Sequence, residues 1–146
     1  MYTLPGIPSV YYGGEWGVEG RKEGACDDRL RPRLVLSEME ANPPVPELKK
    51  ILCKLGVIHQ AQRALTDGVY RELLLTNRQY AFARILGNEA VVTAVNNDAT
   101  PVHMEINCPV SASGAQEALT GTDAEIRDGR IIWEMPAYGS AVFILK

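Results

Sequence analysis

The second half of the chain alternates apolar and polar residues over short runs. Residues Gln79–Leu86 and Glu89–Asn96 are two such runs, and Gly87-Asn88 between them is a two-residue hairpin signal. Val102, Met104 and Ile106 then alternate with His103, Glu105 and Asn107, giving a strand with one buried and one wet face. Asp128-Gly129 joins residues 125–127 to Arg130–Met135 in a second hairpin, and Ser140–Leu145 is a last apolar run. Strands at roughly even spacing with turn signals between them predict an antiparallel Greek-key β-sandwich over residues 68–146. Alternation puts Trp133 in register with Ile131 and Met135, on the buried side.

Over residues 45–65 the period becomes helical. Leu48, Ile51, Leu52, Leu55 and Ile58 share one face, and Lys49, Lys50 and Lys54 fall mostly opposite. Pro46 suits a first helical turn, and Glu47 suits the positive end of the helix dipole. His59, near the end of this amphipathic helix, reads as a structural or surface histidine. Residues 1–44 hold one strand candidate, residues 7–12, with Pro5 and Pro8 beside or inside it. Gly13, Gly14 and Gly17 follow, and residues 19–33 read as a long, charged surface loop of the kind that carries binding residues. The predicted class is therefore mainly β: a C-terminal antiparallel Greek-key β-sandwich preceded by one amphipathic helix.

Composition removes several function classes. A net charge of −3 argues against nucleic-acid binding, which favours a basic surface. No apolar run approaches the roughly 20 residues of a membrane span. Cys26, Cys53 and Cys108 are odd in number and widely spaced, so they form neither a disulfide framework nor a paired metal motif. His59 and His103 lie far from each other and from any cysteine pair, so no metal ligand is assigned. Unpaired thiols and the lack of a basic-then-apolar leader pattern give the expectation of a cytoplasmic protein.

The stretch Leu4-Pro-Gly-Ile-Pro-Ser-Val-Tyr-Tyr-Gly-Gly-Glu-Trp-Gly17 resembles the eighth-strand segment of the α-amylase superfamily, glycoside hydrolase family 13. There the usual run is close to Pro-Gly-Ile-Pro-x-Ile-Tyr-Tyr-Gly-(Asp/Ser)-Glu-x-Gly, and Gly14 departs from it. The next stretch, Glu19-Gly-Arg-Lys-Glu-Gly-Ala-Cys-Asp-Asp-Arg-Leu-Arg-Pro32, is similar to the family's following loop, with Asp27 and Arg31 four residues apart as its acidic and basic members are. Residues 64–73 resemble the passage from the last barrel helix into the C-terminal domain, with Arg63 where proline is usual. Tyr80-Ala-Phe-Ala-Arg84 resembles the Tyr-Ala-Phe-x-Arg strand, and the strand after it ends in an asparagine, as the family's does.

The resemblance implies that residues 1–65 are a remnant of a catalytic (β/α)₈ barrel (last strand, substrate loop and last helix) and residues 66–146 the C-terminal β-sandwich. A whole barrel needs roughly 250 residues, so it cannot fit in 146. By the same resemblance Asp27 and Arg31 contact glucose units, the carboxylate accepting from sugar hydroxyls and the guanidinium donating in a fixed fork. Read from spacing alone, the two would form a surface ion pair. Tyr12, Glu15 and Trp16 are expected to support the loop, with stacking on a sugar ring as the alternative for Trp16. Retaining hydrolysis needs a pair of carboxyl groups about 5–5.5 Å apart. In the family these lie upstream of every position present here, so no catalytic residue is assigned.

The expected function is that of a C-terminal fragment of an α-glucan-active glycoside hydrolase, inactive by itself. Its parent would act on an α-glucan or maltooligosaccharide, and calcium is allowed there with no ligand identified in this chain. The alternative is a stand-alone carbohydrate-binding β-sandwich. A third reading is a module that only supports the barrel. A lone barrel strand and helix expose apolar surface, so self-association through the remnant is also expected, with residues 1–44 poorly ordered, swapped or unusually docked.

Overall fold

A computed structural model describes residues 1–146 except 23, 25 and 26. The described residues form eight strands: β1 (Val69–Leu75), β2 (Gln79–Leu86), β3 (Glu89–Asn96), β4 (Val102–Asn107), β5 (Ala115–Glu117), β6 (Asp123–Arg127), β7 (Arg130–Met135) and β8 (Ser140–Leu145). The two hairpins stand where the turn residues put them. β2 pairs with β3 from Gln79↔Asn96 to Leu86↔Glu89. β6 and β7 close at Arg127↔Arg130, with Asp128 at φ 51 and Gly129 at φ 72. Two successive positive φ values match the right-handed twist of the flanking strands, which is why Asp-Gly marks such turns.

The strand order is β1-β2-β3-β8-β5-β6-β7-β4. β5, β6 and β7 follow one another, and β8 returns to lie beside β5, which defines a Greek key. Alternate residues of the two ends of this order meet in one core. Ala81, Ala83, Val92, Ala94 and Phe143 come from β2, β3 and β8, and Met104, Ile106, Ile131 and Met135 from β4 and β7. Trp133 packs on this core with its ring centroid 5.2 Å from that of Phe143.

Two buried polar groups fix the connections. Asn96 Nδ2 donates to the carbonyls of Thr100 and Pro136, both at 2.9 Å, and its Oδ1 accepts from Gln79 Nε2 at 3.0 Å and Asp98 N at 3.2 Å. Glu117 Oε1 accepts from the backbone N–H groups of Leu119 and Val142, both at 3.2 Å. Its Oε2 accepts from Thr120 N at 2.8 Å and Thr120 Oγ1 at 2.7 Å. The carboxylate ties β8 to the turn that follows β5.

The helices are α1 (Leu36–Ala41), α2 (Leu48–Ala61) and α3 (Arg63–Asp67). α2 is the predicted amphipathic helix. Leu48, Leu52 and Leu55 are half-buried and Ile58 buried, whereas Ile51, expected on the same face, is exposed. His59 donates from Nδ1 to the Tyr2 carbonyl at 2.7 Å, a structural role. Among the described residues no helix is long and apolar enough to cross a membrane. Cys53 and Cys108 are free thiols, and Cys26 lies outside the described residues.

Three expectations are corrected. Residues 7–12 form no strand, and Ile7 is 95% exposed. Pro5 and Pro8 lack N–H donors, and among the described residues no neighbouring segment pairs with this one, so nothing offsets the entropy of extending it. α1 arises just beyond the stretch read as loop, where no element is expected. β1 and β5 also escaped the periodicity: β1 carries a register shift between Glu72 and Leu74 that breaks alternation, and β5 is three residues long.

The chain divides into two compact units, Met1–Ile7 with Gly56–Lys146, and Pro8–Leu55, the division falling within α2. The first holds the sandwich. The second holds the loop residues and is described next.

Candidate binding loop and its place among known folds

The loop of the second unit is anchored at both limbs. Tyr12 is its first staple: its hydroxyl donates to the Pro32 carbonyl and accepts from Leu34 N–H, both at 3.0 Å. A 3₁₀ turn, Gly14–Trp16, follows, bracketed by Gly13 at φ 78 and Gly17 at φ 74. At Gly17 a Cβ would also sit 2.5 Å from Val45 Cγ2, so conformation and space both demand glycine. The turn turns the Trp16 ring inward, where it is buried, and Val45 N–H donates to the Trp16 carbonyl at 3.0 Å. Lys49 Nζ lies 5.6 Å from the ring centroid, a cation–π distance, and also pairs with Glu40 at 3.1 Å. Trp16 is 9% exposed and lines a recess of about 270 Å³ with Met39, Pro43, Pro46 and Lys49. Glu15 sits half-buried in the first turn of the 3₁₀ segment.

Asp27 and Arg31 flank a second 3₁₀ turn, Asp28–Leu30, as the residues immediately before and after it. Both side chains are exposed. Each takes a different partner: Asp27 Oδ1 lies 3.2 Å from Lys22 Nζ, and Arg31 donates from Nε to the Tyr11 hydroxyl at 2.9 Å. The surface ion pair that their spacing would permit is not the contact either one makes. Two recesses open in the same unit, and neither Asp27 nor Arg31 is among the described residues that line them. One, of about 290 Å³, is lined by Tyr11, Tyr12, Val18, Glu19, Gly20 and Leu30. The other, of about 460 Å³, is lined by Glu19, Gly20, Arg21, Arg29 and Pro32. Hydroxyls, a carboxylate and guanidinium groups around shallow recesses can exchange hydrogen bonds with a polyol. Among the described residues no group of three or more His, Cys, Asp or Glu side chains is placed to hold a metal ion.

Tyr11, unlike Tyr12, carries no local signal of a role: its contact with Arg31 spans 20 residues.

In the sandwich unit, the aromatics group in two places. Tyr70 stacks on Phe82 at 5.3 Å, Tyr80 tilts against Phe82 at 5.9 Å, and the Tyr70 and Tyr80 hydroxyls touch. The hydrogen bond to Tyr70 and burial together push the Tyr80 phenol up to about 12. Tyr70 is exposed, whereas Trp133 is packed on the core. Burial also raises the Cys108 thiol.

No family model matches the chain. Over 146 residues it is 25% identical to a cyclomaltodextrinase of Thermoanaerobacter pseudethanolicus (strain ATCC 33223 / 39E), all of this chain against 23% of that protein. Over 97 residues, 66% of the chain, it is 32% identical to a cyclomaltodextrin glucanotransferase of Bacillus sp. (strain 1-1), of which it covers 12%. Its fold superposes with a TM-score of 0.81 on the α-amylase of Geobacillus thermoleovorans, solved with acarbose, at 21% identity over 99% of this chain and 31% of that one. These curated and structural neighbours are enzymes of the α-amylase family, glycoside hydrolase family 13.

The chain matches these enzymes as a C-terminal piece, spanning less than a quarter of the length of either curated relative. The eight antiparallel strands are consistent with the sandwich fold of a C-terminal domain in enzymes of that family. The full-length match also runs through the loop residues, so the likeness does not rest on the sandwich alone.

Proposed function

We propose that this chain is the C-terminal part of an α-glucan-active glycoside hydrolase of the α-amylase family and has no hydrolytic activity by itself. Residues 1–65 then belong to the last unit of a catalytic barrel, and residues 66–146 are its supporting sandwich. In the parent the reaction is retaining hydrolysis or transfer at an α-glucosidic bond, and Asp27 and Arg31 contact glucosyl units at the rim of the cleft. Tyr12, Glu15 and Trp16 hold that rim. The observation that carries this reading is the run from Tyr11 to Leu34. A motif shared with the family here folds into a stapled loop that presents an exposed carboxylate and an exposed guanidinium on either side of one turn. The test is an assay of the purified chain on maltooligosaccharides, starch and pullulan. Release of reducing ends at the rate of buffer alone is expected; turnover that persists through successive purification steps would overturn the reading.

A stand-alone carbohydrate-binding sandwich is the second reading, favoured by the exposed Tyr70 beside Tyr80 and Phe82. Titrating maltoheptaose into the full chain and its Tyr70→Ala variant separates the two. Saturable binding lost with Tyr70 supports the sandwich as binder. Binding that survives Tyr70→Ala and falls on Asp27→Ala supports the loop.

A further inference from the structure

Tyr11 and Tyr12 are consecutive, and both hydroxyls reach across 20 or more residues to the return limb of the loop. Tyr12 holds backbone, at Pro32 and Leu34, whereas Tyr11 holds a side chain, the guanidinium of Arg31. Arginine is long and loses much rotamer freedom when it grips a ligand. A partner on Nε fixes the plane of the fork before any ligand arrives. The two terminal amino groups, the pair suited to neighbouring oxygens, take no partner among the described residues. Tyr11 is itself 60% exposed. Its ring also lines the recess of about 290 Å³, at the lower edge of the usual ligand-site range of roughly 300–1,000 Å³, which leaves room for one sugar ring and not a folded chain.

We propose that Tyr11 is a positioning residue for saccharide binding: it pre-sets the Arg31 guanidinium so that the fork meets a glucosyl unit seated against the Tyr11–Leu30 recess. The proposal rests on the reading of Asp27 and Arg31 as sugar contacts. Preorganisation of this kind raises affinity by removing an ordering cost, without a new contact to the ligand.

The test uses the full chain, maltotriose as probe, and Tyr11→Phe, Arg31→Ala and the double variant. Tyr11→Phe keeps the ring and removes only the hydroxyl. It should weaken maltotriose binding by about three- to tenfold, the range for one lost hydrogen bond. It should also speed exchange of the Arg31 Nε–H proton and move its resonance in ¹H–¹⁵N spectra. In the Arg31→Ala background the same substitution should cost nothing further. An equal loss with and without Arg31, or unchanged binding together with an unchanged Nε–H signal, overturns the positioning role while leaving Asp27 and Arg31 as contacts. No maltotriose binding by the unsubstituted chain at millimolar concentration removes the sugar-contact reading for this chain, and this proposal with it.

Discussion

Replacing Glu117 with glutamine tests whether the sandwich is held as described. The residue is 3% exposed, and its two oxygens accept four hydrogen bonds, three from backbone N–H groups and one from a hydroxyl. Glutamine has nearly the same shape but one carbonyl oxygen. The other position becomes an NH₂ group that faces N–H or O–H donors. At most three of the four contacts survive, with the Thr120 hydroxyl turning to accept from the NH₂, and at least one buried backbone N–H loses its acceptor. A hydrogen bond to a charged group is worth about 1.5–3 kcal/mol, and donors left buried and unpaired add a penalty. Because the unfolded chain also solvates the carboxylate well, we place the net loss at about 2–4 kcal/mol. At about 3 °C per kcal/mol for a protein of this size, the melting temperature should fall by roughly 6–12 °C. The assay is thermal and urea unfolding followed by circular dichroism. The control is Glu47→Gln, which removes an exposed pair with Lys50 and should change stability by less than about 0.5 kcal/mol. A Glu117→Gln protein that melts within about 2 °C of the parent would refute the view that this carboxylate locks β8 to the turn after β5.

Three further outcomes are expected. Gly17→Ala should destabilise the loop, because φ is 74 and the new methyl meets Val45 Cγ2 at 2.5 Å; a shifted Trp16 emission maximum and a lower melting temperature are the readouts, and an unchanged spectrum would count against the description of this turn. The Tyr80 phenol should ionise near pH 12 in an absorbance titration, and Tyr70→Phe should bring it down. A phenol whose proton is held more tightly when folded stabilises the fold below about pH 10 and loses that contribution as pH rises through about 12, so the Tyr70-dependent part of the melting temperature should decline across that window. The unit Pro8–Leu55 exposes Val10, Tyr11, Tyr12, Leu36, Val45 and Ile51, so concentration-dependent self-association is expected in light scattering, and Leu36→Glu should reduce it; a monomer at all concentrations would contradict this.

The sandwich was legible where chemistry is local. Gly87-Asn88 and Asp128-Gly129 state turn geometry in two residues, and the runs beside them alternate with the pleat, so both hairpins fall where expected. The Greek key followed from strand spacing, although the place of β8 beside β5 is a long-range pairing that no local pattern states. β1 was hidden by its own irregularity: three consecutive leucines and a register shift erase the alternation on which strand reading depends. Residues 7–12 failed in the opposite sense. Their β-branched and aromatic residues read as a strand, but a strand exists only when paired, and pairing is a property of the surroundings. The loop divides in the same way. Asp27, Arg31 and Tyr12 came from motif resemblance, and the structure adds the partners that hold them, whereas Tyr11 was invisible because its one informative contact is with a residue 20 positions away.

A catalytic nucleophile in this polypeptide is what the proposed function denies. Retaining glycosidases pass through a covalent glycosyl-enzyme on a carboxylate. A fluorinated α-glucosyl fluoride that traps that intermediate, followed by intact-protein mass spectrometry, reads the nucleophile out directly. The chain should keep its unmodified mass after prolonged incubation. A stoichiometric glucosyl adduct mapped to any Asp or Glu of residues 1–146 would contradict the account.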